Sequence, residues 1–142
     1  MEEQVRRFGL SAAGVLIAMI AVAARCRLRS VGAAADPATP AFYSERVRPI
    51  LMTNCGKCHF TFNHKGGLAM DTRASMMKGG RDGRVIVPGD PANSLLVKLM
   101  RHQGPANDPK PMPPKSPRMS DADIAVVEQW IKAGAAMPEN GR

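Results

Sequence analysis

The chain has 142 residues, 44% of them apolar and only 4% aromatic, and a formal charge of +8. That length fits one domain behind a targeting segment, and so few large rings leave a thin core unless a planar apolar cofactor adds to it. The basic residues are interspersed with acids, which removes the clustered basic face a nucleic-acid binder needs, and three cysteines are too few for a disulfide scaffold.

Arg6 and Arg7 precede the apolar run Leu10–Ala24, and Ala33-Ala34-Ala35 offers small residues just before Asp36. This order is that of a secretory signal, and the run falls short of the roughly 20 residues a spanning helix wants. Arg25, Arg27 and Arg29 on its far side oppose the usual charge bias. Residues 1–35 are therefore expected to be a signal peptide or a retained N-terminal membrane anchor. Cys26 follows Arg25, where lipidation would want a small residue, and reads as incidental. Residues 36–40 form a linker, 41–137 the domain and 138–142 a tail.

Thr39-Pro40 marks a helix start. Tyr43, Val47, Ile50, Leu51 and Asn54 recur at three- and four-residue spacing and define its inward face, while Pro49 should kink it or open a second turn. A polar, glycine-containing loop follows over 60–70. Thr72 is placed to cap a short helix through Lys78 that Gly79-Gly80 closes. Arg84–Val87 reads as a brief extended piece ended by Pro88-Gly89, and Pro91 with SLLVKLM as a helix over about 91–102. Residues 103–119 hold six prolines and little periodicity, and a loop that long in a small domain is usually functional or disordered. Ser120 with Asp123 resembles a capping box. It opens a helix with Ile124, Val127 and Ile131 in a stripe, Trp130 beside it and Gly134 as the stop. The expected fold class is all-α, short helices joined by long loops.

Chemistry concentrates in Cys55-Gly56-Lys57-Cys58-His59, a C-x-x-C-H sequence. In an exported chain this is the attachment signature of c-type haem. Cysteines three apart on a helical turn share one side and reach the two vinyl groups of one porphyrin, and His59 follows as proximal iron ligand. A structural zinc site needs four ligands. Cys55, Cys58, His59 and His64 would be cramped, and no second C-x-x-C exists. A thioredoxin-like thiol pair would want a βαβ pattern, which is absent.

The sixth iron ligand is expected to be Met112, in Lys110-Pro111-Met112-Pro113-Pro114. A thioether is a modest ligand, and flanking prolines reduce the entropy its loop loses on binding. Met in this position raises the reduction potential. Met119, which could instead staple the last helix, and the surface-type His102 and His64 are the alternatives. Met52, Met70, Met76, Met77 and Met100 sit in apolar or helical surroundings as core filler.

Taken in order, these segments resemble a known family. They are Phe42; Val47-Arg48-Pro49-Ile50-Leu51 before the C-x-x-C-H motif; Gly67-Leu68-x-Met70-Asp71; Gly79-Gly80; Val87-Pro88-Gly89-Asp90-Pro91; Ser94-Leu95-Leu96; Met112-Pro113-Pro114; and Trp130-Ile131-x-x-Gly134-Ala135. Over roughly residues 41–136 the chain resembles the planctomycete-type cytochrome c domain. The resemblance implies a cytochrome c fold in which first and last helices cross and loops enclose the haem. It also implies Cys55 and Cys58 as haem-bonding, His59 as proximal ligand and Met112 as distal ligand. Met70 stands where the family often carries another Leu. Family domains often lie in larger multidomain chains.

The functional expectation is a monohaem c-type cytochrome, one haem c per chain, transferring single electrons in the periplasm or otherwise outside the cytoplasm. No catalytic residues are assigned. Lys57, Lys110 and Lys115 are expected to surround the haem edge and steer docking with an acidic redox partner. The other readings are a haem-based sensor, a haem subunit docked on a dehydrogenase, and a zinc-dependent interaction module.

Overall fold

A computed structural model describes residues 35–105 and 110–142. The proposed leader, its Cys26 and the signal-or-anchor alternative lie outside the described residues.

The first helical run forms where its caps and apolar spacing predict. Thr39 is extended and its hydroxyl accepts from the Phe42 amide at 3.4 Å, with Pro40 at the first helical position. The run begins as α1 (Pro40–Phe42), widens into a π-helical turn (Tyr43–Val47) and continues as α2 (Arg48–His59). The π turn answers the expectation about Pro49. Proline cannot donate to the carbonyl four residues back and its ring would strike it. Widening the turn just before Pro49 removes that clash, and the Arg48 amide bonds Tyr43 O instead. The helix therefore continues through the proline. It stops at Phe60, which is extended.

After a 3₁₀ turn (Lys65–Gly67) comes α3 (Arg73–Lys78). Thr72 and Ser75 exchange side-chain-to-backbone bonds in a capping box, and Gly79 ends the helix at φ +81. A Cβ on Gly79 would run into the Gly83 carbonyl, so the turn that follows needs glycine twice over.

Residues 84–87 form no strand, and an isolated bridge, Gly80 with Gly83, lies just before them. Val85 and Ile86 are nevertheless buried. The helix expected over 91–102 is shorter, α4 (Leu95–Met100). Ser94 explains the late start. Its hydroxyl makes no capping bond, but accepts from Val87 N at 2.9 Å and donates to Asp90 O at 2.8 Å, holding 91–93 in a turn.

The last helix, α5 (Asp121–Lys132), starts at Ser120, whose hydroxyl accepts from the Asp123 amide at 3.1 Å. The Asp123 carboxylate is too short to reach back to the Ser120 amide and takes the Ser120 hydroxyl proton instead, at 2.8 Å. Gly134 follows at φ +103. Ile124, Val127, Trp130 and Ile131 are buried in one core with Phe42, Tyr43, Val47 and Leu51. Tyr43 and Trp130 are in ring contact at 5.3 Å, tilted 40°. The described residues are thus helices and turns without a strand, as the sequence predicts.

Candidate functional site

The C-x-x-C-H motif occupies the last turn of α2. Cys55 and His59, one helical turn apart, are both buried, and Cys58 is half-buried. The three side chains line one cavity of about 330 Å³. Its walls are largely apolar: Leu68 and Met70 from the loop after the motif, Val85 from the segment before α4, and Leu95, Leu96 and Leu99 from α4. Met112 lines the same cavity from the opposite segment of chain.

Two backbone bonds seat the proline-rich loop. The Met112 amide donates to Leu99 O at 3.2 Å, and the Met119 amide to Met100 O at 3.2 Å. The loop therefore returns over the end of α4 twice, and Met112 is brought to the cavity while Met119 sinks into the core at 6% exposure. Met119 and His102 do not line the cavity, and His64 is engaged with Asp71 at 2.8 Å. Of the methionines read as filler, Met76 and Met100 lie in the core and Met77 packs partly buried against it, whereas Met52 is exposed. Met70 is buried too, but also faces the cavity.

The imidazole of His59 is oriented. Its Nδ1 lies 3.4 Å from Leu68 O, which assigns the proton to Nδ1 and leaves the Nε2 lone pair for a metal. Burial lowers the His59 pKa, against the opposing pull of the Leu68 and Lys65 carbonyls. The ring is therefore neutral at neutral pH, as a ligand must be. The two cysteines are free thiols. Burial first, and the neighbouring Cys58 second, push Cys55 up to about 11. Redox-active thiols have a depressed pKa, and the Cys55 thiol is shifted the other way.

Glycine and charge complete the site. Gly80 lines the cavity because the chain there approaches Gly66 and Leu68 closely; a Cβ on it would come within 2.8 Å of Gly66 O. Pro88-Gly89 serves elsewhere: the Gly89 amide bonds Ile131 O at the end of α5. Lys57 and Lys110 border the cavity, as expected, and Lys115 does not. Lys65 and Arg81 also border it, against a single acid, Asp82. Sequence reasoning missed these two, because neither lies beside the C-x-x-C-H motif or in the Met112 loop. It also missed Leu68 O, whose role is that of a backbone atom and has no residue-type signal.

The donor set suits a covalently held haem: two thiols on one helical turn, an imidazole with a free Nε2, a thioether, and apolar walls between them. Among the described residues no three His, Cys, Asp or Glu side chains gather to hold a metal ion by themselves. No described helix is long and apolar enough to cross a membrane.

Residues 55–116 match the family model described as Planctomycete cytochrome C. The matched stretch begins at Cys55 and includes Cys58, His59 and Met112. No curated protein and no solved structure matches the chain.

Proposed function

The chain carries a planctomycete-type cytochrome c domain, and from that premise we propose that it is an exported monohaem electron carrier with His59 and Met112 as axial ligands. The observation that carries this reading is the convergence of Cys55, Cys58, His59 and Met112 on one apolar cavity. A haem bound there supplies a one-electron Fe(III)/Fe(II) couple.

The residues divide the work. Cys55 and Cys58 would hold the porphyrin through two thioethers, each thiol adding across a vinyl group, so that it would stay bound without relying on the iron ligands. His59 offers Nε2 to the iron, with Nδ1–H held by Leu68 O. Met112 offers its thioether, and the prolines around it limit the freedom its loop loses. Leu68, Met70, Leu95, Leu96 and Leu99 exclude water from the metal, which favours the less charged ferrous state. Lys57, Lys65 and Lys110 surround the cavity mouth and favour an acidic docking partner. In this reading the cytochrome c fold closes around the cofactor, and the leader delivers the chain out of the cytoplasm. Met112 fills the position that a sensor would leave open for a gas.

The test is expression with haem-maturation machinery. Wild type should emerge coloured, with one haem retained under denaturing conditions, a low-spin spectrum and a Met–iron charge-transfer band. In Met112→Ala that band should vanish while the haem stays attached. Colourless protein with both thiols still alkylatable sinks the electron-carrier reading, and a surviving band in the mutant excludes Met112.

A further inference from the structure

One carboxylate ties the two ends of the loop that leaves the haem motif, beside the backbone bonds from Met70 N to His59 O and from Arg81 N to Gly66 O. Directly after Phe60 the chain turns through Thr61 at φ +61. A β-branched residue in that region is strained by roughly 1–2 kcal/mol, so something must hold it there. The Thr61 amide donates to Asp71 Oδ1 at 2.5 Å. The other oxygen, Asp71 Oδ2, accepts from His64 Nε2 at 2.8 Å. One side chain thus pins both the start and the middle of the loop to the residue that ends it.

What lies between the pinned points is the support of His59. The Met70 amide donates to His59 O at 2.8 Å, and Leu68 O faces His59 Nδ1 at 3.4 Å. Asp71 follows these residues directly in the chain. The 68–70 segment is thus bounded by the Met70–His59 backbone bond and by the clasp directly after it, which is made by the Asp71 side chain. The 3.4 Å separation lies at the long limit of a hydrogen bond, so a small outward shift of the segment would lose it.

We propose that Asp71 is a positioning residue for the axial ligand: by bonding Thr61 N and His64 Nε2 it holds the 60–71 loop so that Leu68 O accepts from His59 Nδ1–H. This rests on the electron-carrier reading above. A histidine ligand whose Nδ1–H is well held is the more basic at Nε2, and a more basic ligand favours Fe(III). Releasing the clasp therefore raises the reduction potential.

The experiment uses matured holoprotein of wild type, Asp71→Ala, Asp71→Asn and Glu128→Gln. Glu128→Gln loosens the Arg101–Glu128 pair (3.0 Å) and serves as a control for general destabilisation. Redox titration and the proton resonance of His59 Nδ1–H are the readouts. Asp71→Ala should raise the Fe(II)/Fe(III) ratio at fixed ambient potential by up to about tenfold, equivalent to about 59 mV for one electron. It should also speed exchange of the Nδ1 proton. Asp71→Asn, which keeps an oxygen for Thr61 N, should fall between it and wild type, and Glu128→Gln should melt earlier at unchanged potential. An Asp71→Ala protein that melts earlier but keeps the wild-type potential and Nδ1 exchange overturns the proposal. If Asp71→Ala does not mature, Asp71→Asn with both wild-type readouts overturns it equally. Failure of the wild type itself to take up haem is seen before any variant is compared, and defeats the carrier reading on which this one rests.

Discussion

Cys55, Cys58 and His59 are adjacent in sequence and end the same helix, yet their environments differ. Cys55 and His59 face inward, and burial acts on them in opposite senses: it raises the thiol and lowers the imidazole. Both shifts favour neutral groups. Met112 differs because its place depends on two backbone bonds made by a loop far along the chain. On the electron-carrier reading proposed above, removing its thioether should therefore change the iron's ligands without unfolding the domain. We expect the Met112→Ala potential to fall below wild type, since Met ligation raises it. Redox titration beside the lost charge-transfer band checks this.

Element boundaries follow capping chemistry closely where the capping group is local. Thr39, Thr72 and Ser120 each start a helix as their side chains predict, and Gly79 and Gly134 each close one. Ser94 is the exception that the sequence does not disclose. It stands before an apolar run like any N-cap, but its hydroxyl is fully buried and tied to Val87 and Asp90. That makes it the fastener of the 85–94 segment, which brings Val85 to the cavity. Ser94→Ala should cost about 1–3 kcal/mol through the unpaired Val87 amide and Asp90 carbonyl. An exposed cap such as Ser120 should cost about 1 kcal/mol when replaced by alanine. Urea unfolding of the two variants compares them, and equal losses would reduce Ser94 to an ordinary cap.

Across the whole molecule, the core joins the first and last helical runs through Tyr43 and Trp130, both fully buried. The indole Nε1–H donates to Ala136 O at 2.7 Å, whereas the Tyr43 hydroxyl is buried without a partner among the described residues. Burial pushes the Tyr43 pKa from 10.0 up to about 12, moderated by Arg48. The folded form thus keeps its proton where the unfolded chain loses it. Stability from this group is whole below about pH 10 and declines as pH rises toward 12. Unfolding midpoints measured across that window should fall less in Tyr43→Phe than in wild type, and parallel curves would refute the linkage. The cations at the cavity mouth also act at this scale. Reversing Lys57, Lys65 and Lys110 to Glu should flatten the salt dependence of electron transfer to an acidic partner, while Lys115→Glu, which does not line the cavity, should change it less. Stopped-flow rates over a range of ionic strength decide between them.

By itself the sequence determined what depends on neighbours in the chain: the three-residue cysteine spacing with its following histidine, the caps, the glycine stops and the apolar stripe of α5. Each is a local geometry that a few residues impose. Only the tertiary structure decided which distant groups meet. It brought Met112 rather than Met119 to the cavity, let a π turn absorb Pro49, shortened α4 and set Lys65, Arg81 and Leu68 O at the site. Those outcomes turn on backbone hydrogen bonds and packing between segments far apart in the chain, and residue type at one position carries no record of them.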